Sequence, residues 1–229
     1  MTNLFGNFWR LLALFLLAPA ALAFQGPTGR PGGAHTATGT IEVAFAPWDD
    51  GEALILRALA EARHDIHVQA FLLTSRGVAK GLMEASRRGV KVQVLADAQN
   101  VGNGGSSQIP ALARAGIAVA LETRYASAHN KLIIIDAEHP GCAVITGSYN
   151  FTRFAREKNA ENLLLLKGDA TLARAYLANW RRHRADAQPY AKAELKPAAP
   201  KRPGSMDGQR LPFPWEPGEQ KRRGTLDME

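Results

Sequence analysis

From residue 41 onward, short apolar runs alternate with longer amphipathic ones. IEVAF (41–45) reads as a strand. Pro47 with Asp49, Asp50 and Gly51 then reads as a turn and helix cap, and residues 52–62 carry the helical period. DIHVQAF (65–71) is strand-like. Thr74 or Ser75 caps a predicted helix through Arg88, with Val78, Leu82 and Met83 inward. KVQVLA (91–96) predicts another strand, 97–108 a polar loop, 109–115 a short helix and 117–121 a strand. Next comes ASAHNKLIIID, an extended run. The turn EHPG leads to CAVITGSYN, a second strand antiparallel to it. NLLLL predicts a last buried strand. Residues 169–184 predict a helix with Leu172, Tyr176 and Trp180 inward and a basic end, Arg181, Arg182, His183 and Arg184, that complements its C-terminus. This alternation predicts an α/β sandwich with a mixed, partly parallel sheet.

The flanks differ. Residues 1–23 carry Arg10, an apolar run from Leu11 to Leu22 and the small-x-small pattern Ala21, Leu22, Ala23. They read as a secretory signal cleaved after Ala23, with an uncleaved anchor as the alternative. The rest is expected in the periplasm or secreted. Residues 24–40 have a Gly/Pro/Thr linker composition, and His35 there has no expected chemistry. Residues 41–186 form the expected domain. Residues 187–229 hold Pro189, Pro197, Pro200, Pro203, Pro212, Pro214 and Pro217 and read as a disordered tail, where Phe213 and Trp215 are candidates for docking.

A formal net charge of +7 favours an anionic partner, nucleic acid or phospholipid headgroups, without choosing between them. Cys142 is the sole cysteine, so no intrachain disulfide forms, and no C-x-x-C spacing suggests zinc. It reads as a core residue. His64 reads as solvated and His67 as packed.

Chemistry concentrates in residues 129–161. His129, Lys131 and Asp136 follow the pattern H-x-K-x4-D, which occurs once. On a strand, His129 and Lys131 share one face and can meet one phosphate. Ser148 and Asn150, also two apart, bring hydrogen-bonding groups from the next strand. Asp136, at an odd offset, reads as structural support. Glu161 can accept the other imidazole N–H and fix the tautomer of His129.

The combination resembles the HKD motif of the phospholipase D superfamily. IEVAF, VQAF, HNKLIIID, TGSYNFT and KNAENLLLL, from Ile41 to about Trp180, are similar to the small bacterial endonucleases with one motif per chain. The turn 137–142 is longer than in close relatives. The resemblance implies a phospholipase D-like α-β-α sandwich around a mixed, largely parallel sheet. It also implies a homodimer that pairs two half-sites and a reaction with no metal cofactor. His129 would be nucleophile in one protomer and general acid/base in the other, with Lys131, Ser148 and Asn150 on the phosphate. The expected substrate is DNA or RNA. The alternatives are a phospholipase D releasing phosphatidic acid and an inactive dimer that binds polyanions.

Overall fold

The structure, a computed structural model, describes residues 33–101 and 106–190. The expected signal segment, most of the expected linker, the glycine-rich stretch 102–105 and the expected tail beyond Tyr190, with Phe213 and Trp215, lie outside the described residues. The elements run β1 (Thr40–Ala46), α1 (Gly51–Glu61), β2 (Asp65–Ala70), α2 (Arg76–Arg87), β3 (Lys91–Asp97), α3 (Ala98–Val101), α4 (Ile109–Arg114), β4 (Ala118–Glu122), β5 (Lys131–Ile135), β6 (Ala143–Gly147), α5 (Arg153–Glu157), β7 (Glu161–Lys167), α6 (Ala170–Asp186) and β8 (Gln188–Pro189).

The strands make one open mixed sheet in the order β1-β7-β6-β5-β2-β3-β4-β8. β2, β3 and β4 pair in parallel, and the other neighbours pair antiparallel. β1, β2, β3, β4 and β6 therefore run one way and β5, β7 and β8 the other. All five residues of β5, KLIII, are buried, because this central strand feeds both faces of the sheet. Ile133 and Ile135 face α1, α2 and α4, in a core with Ile55, Leu59, Val78 and Leu82. Leu132 and Ile134 face α6, beside Leu177 and Trp180. This is the expected α-β-α layering. Among the described residues no helix is long and apolar enough to cross a membrane.

Caps fix where the helices begin. Asp50, Ser75, Thr152 and Asp169 accept N–H bonds from the first turns of α1, α2, α5 and α6. The buried line of α6 is Ala173, Leu177 and Trp180. Leu172 and Tyr176, expected inward, are only half-buried. The Trp180 indole N–H donates to the Val68 carbonyl at 2.9 Å and sets that rotation. His67 meets the Trp180 ring edge-on at 4.6 Å and packs as expected. Burial pushes its pKa below the ordinary histidine value. His64 is exposed and stacks on His139 at 3.8 Å. Cys142 is buried, and burial raises its thiol pKa.

Several boundaries differ from expectation. β1 begins at Thr40, inside the expected linker. The expected polar loop after residue 96 begins with a strand end, Asp97, and a helical turn, α3. The start of the expected tail is ordered: β8 pairs with β4, and the Tyr190 N–H donates to the Val119 carbonyl at 3.0 Å. Pro189 fits there because an outermost strand leaves one side unpaired. His129 and Asn130 precede β5 rather than lying within it. The Phe71 N–H still bonds the Asn130 carbonyl at 3.0 Å, which extends the ladder by one step.

Candidate active site

One edge of the sheet collects the candidate residues. β2, β3 and β4 end there, β1 and β6 end there, and β5 and β7 begin there. Lys131 pairs with Ala70, and Glu161 pairs with Ala46. Ser148 follows the last residue of β6. The carboxyl ends of parallel strands are where open α/β sheets place ligands, because loops diverge there.

His129 is exposed and Lys131 is buried, 5% accessible. The lysine ammonium lies 2.8 Å from Nδ1 and 3.0 Å from Nε2 of His129, and donates to the His129 carbonyl at 2.7 Å. Phe71 walls the pair: its ring is 4.4 Å from the imidazole and 4.8 Å from the ammonium. Burial lowers the pKa of Lys131 to about 8, against the opposing charge of Glu161. Burial and the Lys131 charge lower the pKa of His129, and Asp97 opposes them. The imidazole is thus biased toward its neutral, nucleophilic form.

Asp97 is a residue the sequence reading missed. It is 2% exposed and ends β3. Its Oδ2 accepts the Ala128 N–H at 2.8 Å, one residue before His129. Its Oδ1 accepts from the Gln99 N–H at 3.0 Å, the Asn100 N–H at 3.1 Å and the Asn100 Nδ2 at 2.9 Å. Gln99 Nε2 donates to the Ala126 carbonyl at 3.0 Å. The histidine loop is thereby tied to the end of β3. A signal was present: an Asp directly before a short helical turn is a capping pattern.

On the other flank, Ser148 Oγ donates to Glu161 Oε2 at 2.5 Å and accepts the Asn162 N–H at 3.0 Å. Asn159 Nδ2 donates to Glu161 Oε1 at 2.8 Å. Gly147 allows the turn into Ser148. Its φ is +152°, and a Cβ there would stand 2.2 Å from the Asn162 carbonyl oxygen. The buried Asn150 Oδ1 has no hydrogen-bond partner among the described residues. Tyr149 packs fully buried between these two, and burial with Glu52 and Asp50 nearby pushes its phenol pKa up.

One expected placement changes. The Glu161 carboxylate is used by Ser148 and Asn159, and within the described residues it makes no bond to the imidazole. The reason is position: β7 starts beside β6, so Glu161 meets Ser148 first. Asp136 lies at the far end of β5, roughly 17 Å from Lys131 at 3.3 Å per residue. It has φ 50° and is 3% exposed. It accepts N–H bonds from Arg63 at 2.8 Å, His64 at 2.7 Å and Asp65 at 2.9 Å, and so clamps the turn between α1 and β2.

A mixed α/β sheet thus carries a His–Lys pair at the end of its strands, with the Ser148–Glu161 pair on neighbouring strands. Residues 55–183 match the family model described as "Cardiolipin synthase, PLD-like domain", more than half of the chain. The chain belongs to this family, within the phospholipase D superfamily. It is 38% identical over 140 residues to "Phospholipase D" of Rickettsia typhi, covering 61% of this chain and 66% of that one, just under two thirds of its length. It is 33% identical over 128 residues to "Mitochondrial cardiolipin hydrolase" of Mus musculus, covering 56% of this chain and 55% of that one. Among solved structures it resembles Nuc from Salmonella typhimurium, a phospholipase D family member. The TM-score is 0.61 and identity 29%, with 66% of this chain and 97% of that chain covered. NucT from Helicobacter pylori shares the fold at TM-score 0.58 and 22% identity, covering 66% of this chain and 99% of that one.

Proposed function

We propose that this chain is a phosphodiesterase that works without a divalent metal, through a phosphohistidine on His129, and that its substrate is DNA or RNA cut with little sequence preference. The observation that carries the reading is the buried ammonium of Lys131, 2.8 Å from the imidazole of an exposed histidine. A neutral His129 attacks phosphorus, the P–O bond to the leaving group breaks, and the leaving oxygen takes a proton from His129 of a second copy. That second imidazole, now neutral, takes a proton from water. The water oxygen attacks phosphorus and the N–P bond breaks, restoring His129. Lys131, Ser148 and Asn150 hold the phosphate oxygens as charge builds on them. Glu161 orients Ser148, and Asp136 supports the frame.

The two-copy arrangement has support in the surface. Among the described residues α6 packs over β2, β4, β5 and β6, Leu166 of β7 borders that cluster, and β1 lies beyond it on the same face. There Ile41, Val43 and Phe45 are 61%, 50% and 49% exposed. This stripe ends beside Glu161, so a second copy seated on it would abut the half-site. Residues 1–23, read as an export signal, support a periplasmic or secreted location.

The single motif and small size favour a nucleic acid, with which the net charge of +7 agrees. The names of the Rickettsia and mouse relatives favour a lipid substrate and keep the phospholipase D reading in play. Side-by-side assay of plasmid DNA, RNA and phosphatidylcholine vesicles in excess EDTA separates the two. Cleaved nucleic acid is the expected result. Released headgroup with intact nucleic acid would establish the lipase reading, and no turnover by a folded dimer would leave polyanion binding alone.

A further inference from the structure

A second feature lies on the same sheet edge, beyond β3. Lys131, Ala70, Ala96 and Leu121 sit in one cross-sheet row, so the end of β4 is three strand spacings from the lysine. At about 4.8 Å per spacing that is roughly 14 Å. Past that end, on the α6 side of the sheet, a cleft of about 390 Å³ is lined by Arg124, Tyr125, Asn179, Arg182, His183 and Asp186. The loop from β4 to β5 runs from this cleft to His129.

The cleft is held by a buried polar network. Glu122 is 4% exposed and accepts Gln69 Nε2 at 2.9 and 3.0 Å. His183 Nδ1 lies 2.6 Å from its Oε1, which fixes the imidazole with its other nitrogen away from that carboxylate. Arg124 is tied to Asp186. Arg182 is exposed, and its hydrogen bond among the described residues is to the neutral Asn179 Oδ1 at 2.9 Å. Its charge therefore has no carboxylate partner there. Tyr125 is 43% exposed, with its ring 5.1 Å from that of His183. An unpaired guanidinium, a fixed imidazole and an exposed aromatic ring are what a nucleic-acid strand needs: donors for a phosphate and a stacking face for a base.

We propose that this cleft is a remote subsite for the nucleic-acid strand, Arg182 taking a phosphate and Tyr125 a base, at a fixed offset from the diester that meets His129. It rests on the nuclease reading and deepens it. At 3.4 Å rise per stacked nucleotide, the roughly 14 Å between the strand ends alone corresponds to about four nucleotides. A single diester cannot span that gap, whereas a strand of nucleic acid can.

The test uses full-length His129→Ala protein, which binds without turnover, and labelled oligothymidylates of three and twelve nucleotides followed by fluorescence anisotropy across a salt series. Adding Arg182→Ala should weaken the twelve-mer about tenfold and flatten the slope of log K against log salt by about 0.7, one phosphate contact on a single strand. Arg182→Lys should restore the slope. Tyr125→Ala should weaken the twelve-mer by a similar factor with the slope unchanged. The three-mer should not respond to Arg182→Ala. The proposal is overturned by an Arg182→Ala twelve-mer curve that superimposes on the parent, or by equal losses for both lengths. Lost binding to phosphatidylglycerol vesicles with oligonucleotide binding intact would overturn it too. Failure of wild-type protein to cut DNA, with Arg182-dependent binding of the twelve-mer retained, would sink the nuclease reading and leave the subsite standing.

Discussion

Replacing Asp97 by Asn tests whether His129 is placed by a partner outside its own motif. The wild-type carboxylate takes bonds from the N–H groups of Ala128, Gln99 and Asn100 and from the Asn100 side chain while 2% exposed. Asn keeps the shape but retains one acceptor oxygen. If that oxygen serves Gln99 and Asn100, an NH2 group faces the Ala128 N–H and leaves it unpaired. An orphaned buried donor costs about 1–3 kcal/mol, and losing charge assistance on the other bonds adds about 1 kcal/mol. A loss of about 2–4 kcal/mol in stability is therefore expected. If Ala128 relaxes and carries His129 about 1 Å out of place, kcat/KM falls on the order of a hundredfold. Asp97 also favours the protonated imidazole, so removing its charge lowers the pKa of His129 further. The acid limb of the pH profile should then move to lower pH, a shift that a purely structural lesion would not give. The assay is hydrolysis of bis(p-nitrophenyl) phosphate across pH, with circular dichroism for the folded fraction. A folded Asp97→Asn protein with wild-type kcat/KM and an unmoved acid limb would refute the reasoning.

Other consequences follow from the same geometry. Activity should rise as the attacking His129 loses its proton, below the ordinary histidine value, and fall at higher pH as the donating His129 of the second copy loses its own and, at about pH 8, as Lys131 does. Lys131→Arg should remove the component of the alkaline fall near pH 8 while lowering kcat; a component there that stays put would dissociate it from Lys131. Asp136→Ala strips three backbone N–H groups of their acceptor and should cost about 3–5 kcal/mol, read as a lower denaturant midpoint. Turnover per folded molecule should stay within about twofold, and a hundredfold loss in fully folded protein would give Asp136 a direct catalytic role. Val43→Glu on the open stripe should convert a dimer into a monomer by light scattering and abolish turnover; an active monomer would contradict a shared site.

Much of this was legible along the chain because it is local. The unbroken apolar run of β5, the caps at Asp50 and Ser75 and the glycine before Ser148 each announce themselves within a few residues. The alternation of elements gave the layers. What was hidden depends on contacts made across the sheet. Asp97 looks like the start of a polar loop until β3 lies two strands from β5 and brings it to Ala128. His183 looks like part of a charged helix end until α6 crosses to β4 and meets Glu122. β8 is two residues long and carries a proline, so only the edge of β4 gives it shape. The inward line of α6 is set by where Trp180 finds the Val68 carbonyl, so four-residue spacing alone picked neighbouring positions. The Glu161–imidazole contact failed for a related reason: residue types identified the participants, while strand order decided who touches whom.

The central claim is that His129 becomes covalently bonded to the substrate phosphorus. Wild-type protein mixed with end-labelled DNA in excess EDTA and quenched in denaturant within the first turnover tests it directly. Label should stay with the protein on a denaturing gel, map to His129 by peptide mass and be absent in His129→Ala. DNA cleavage with no such adduct, sustained by folded His129→Ala, would contradict it.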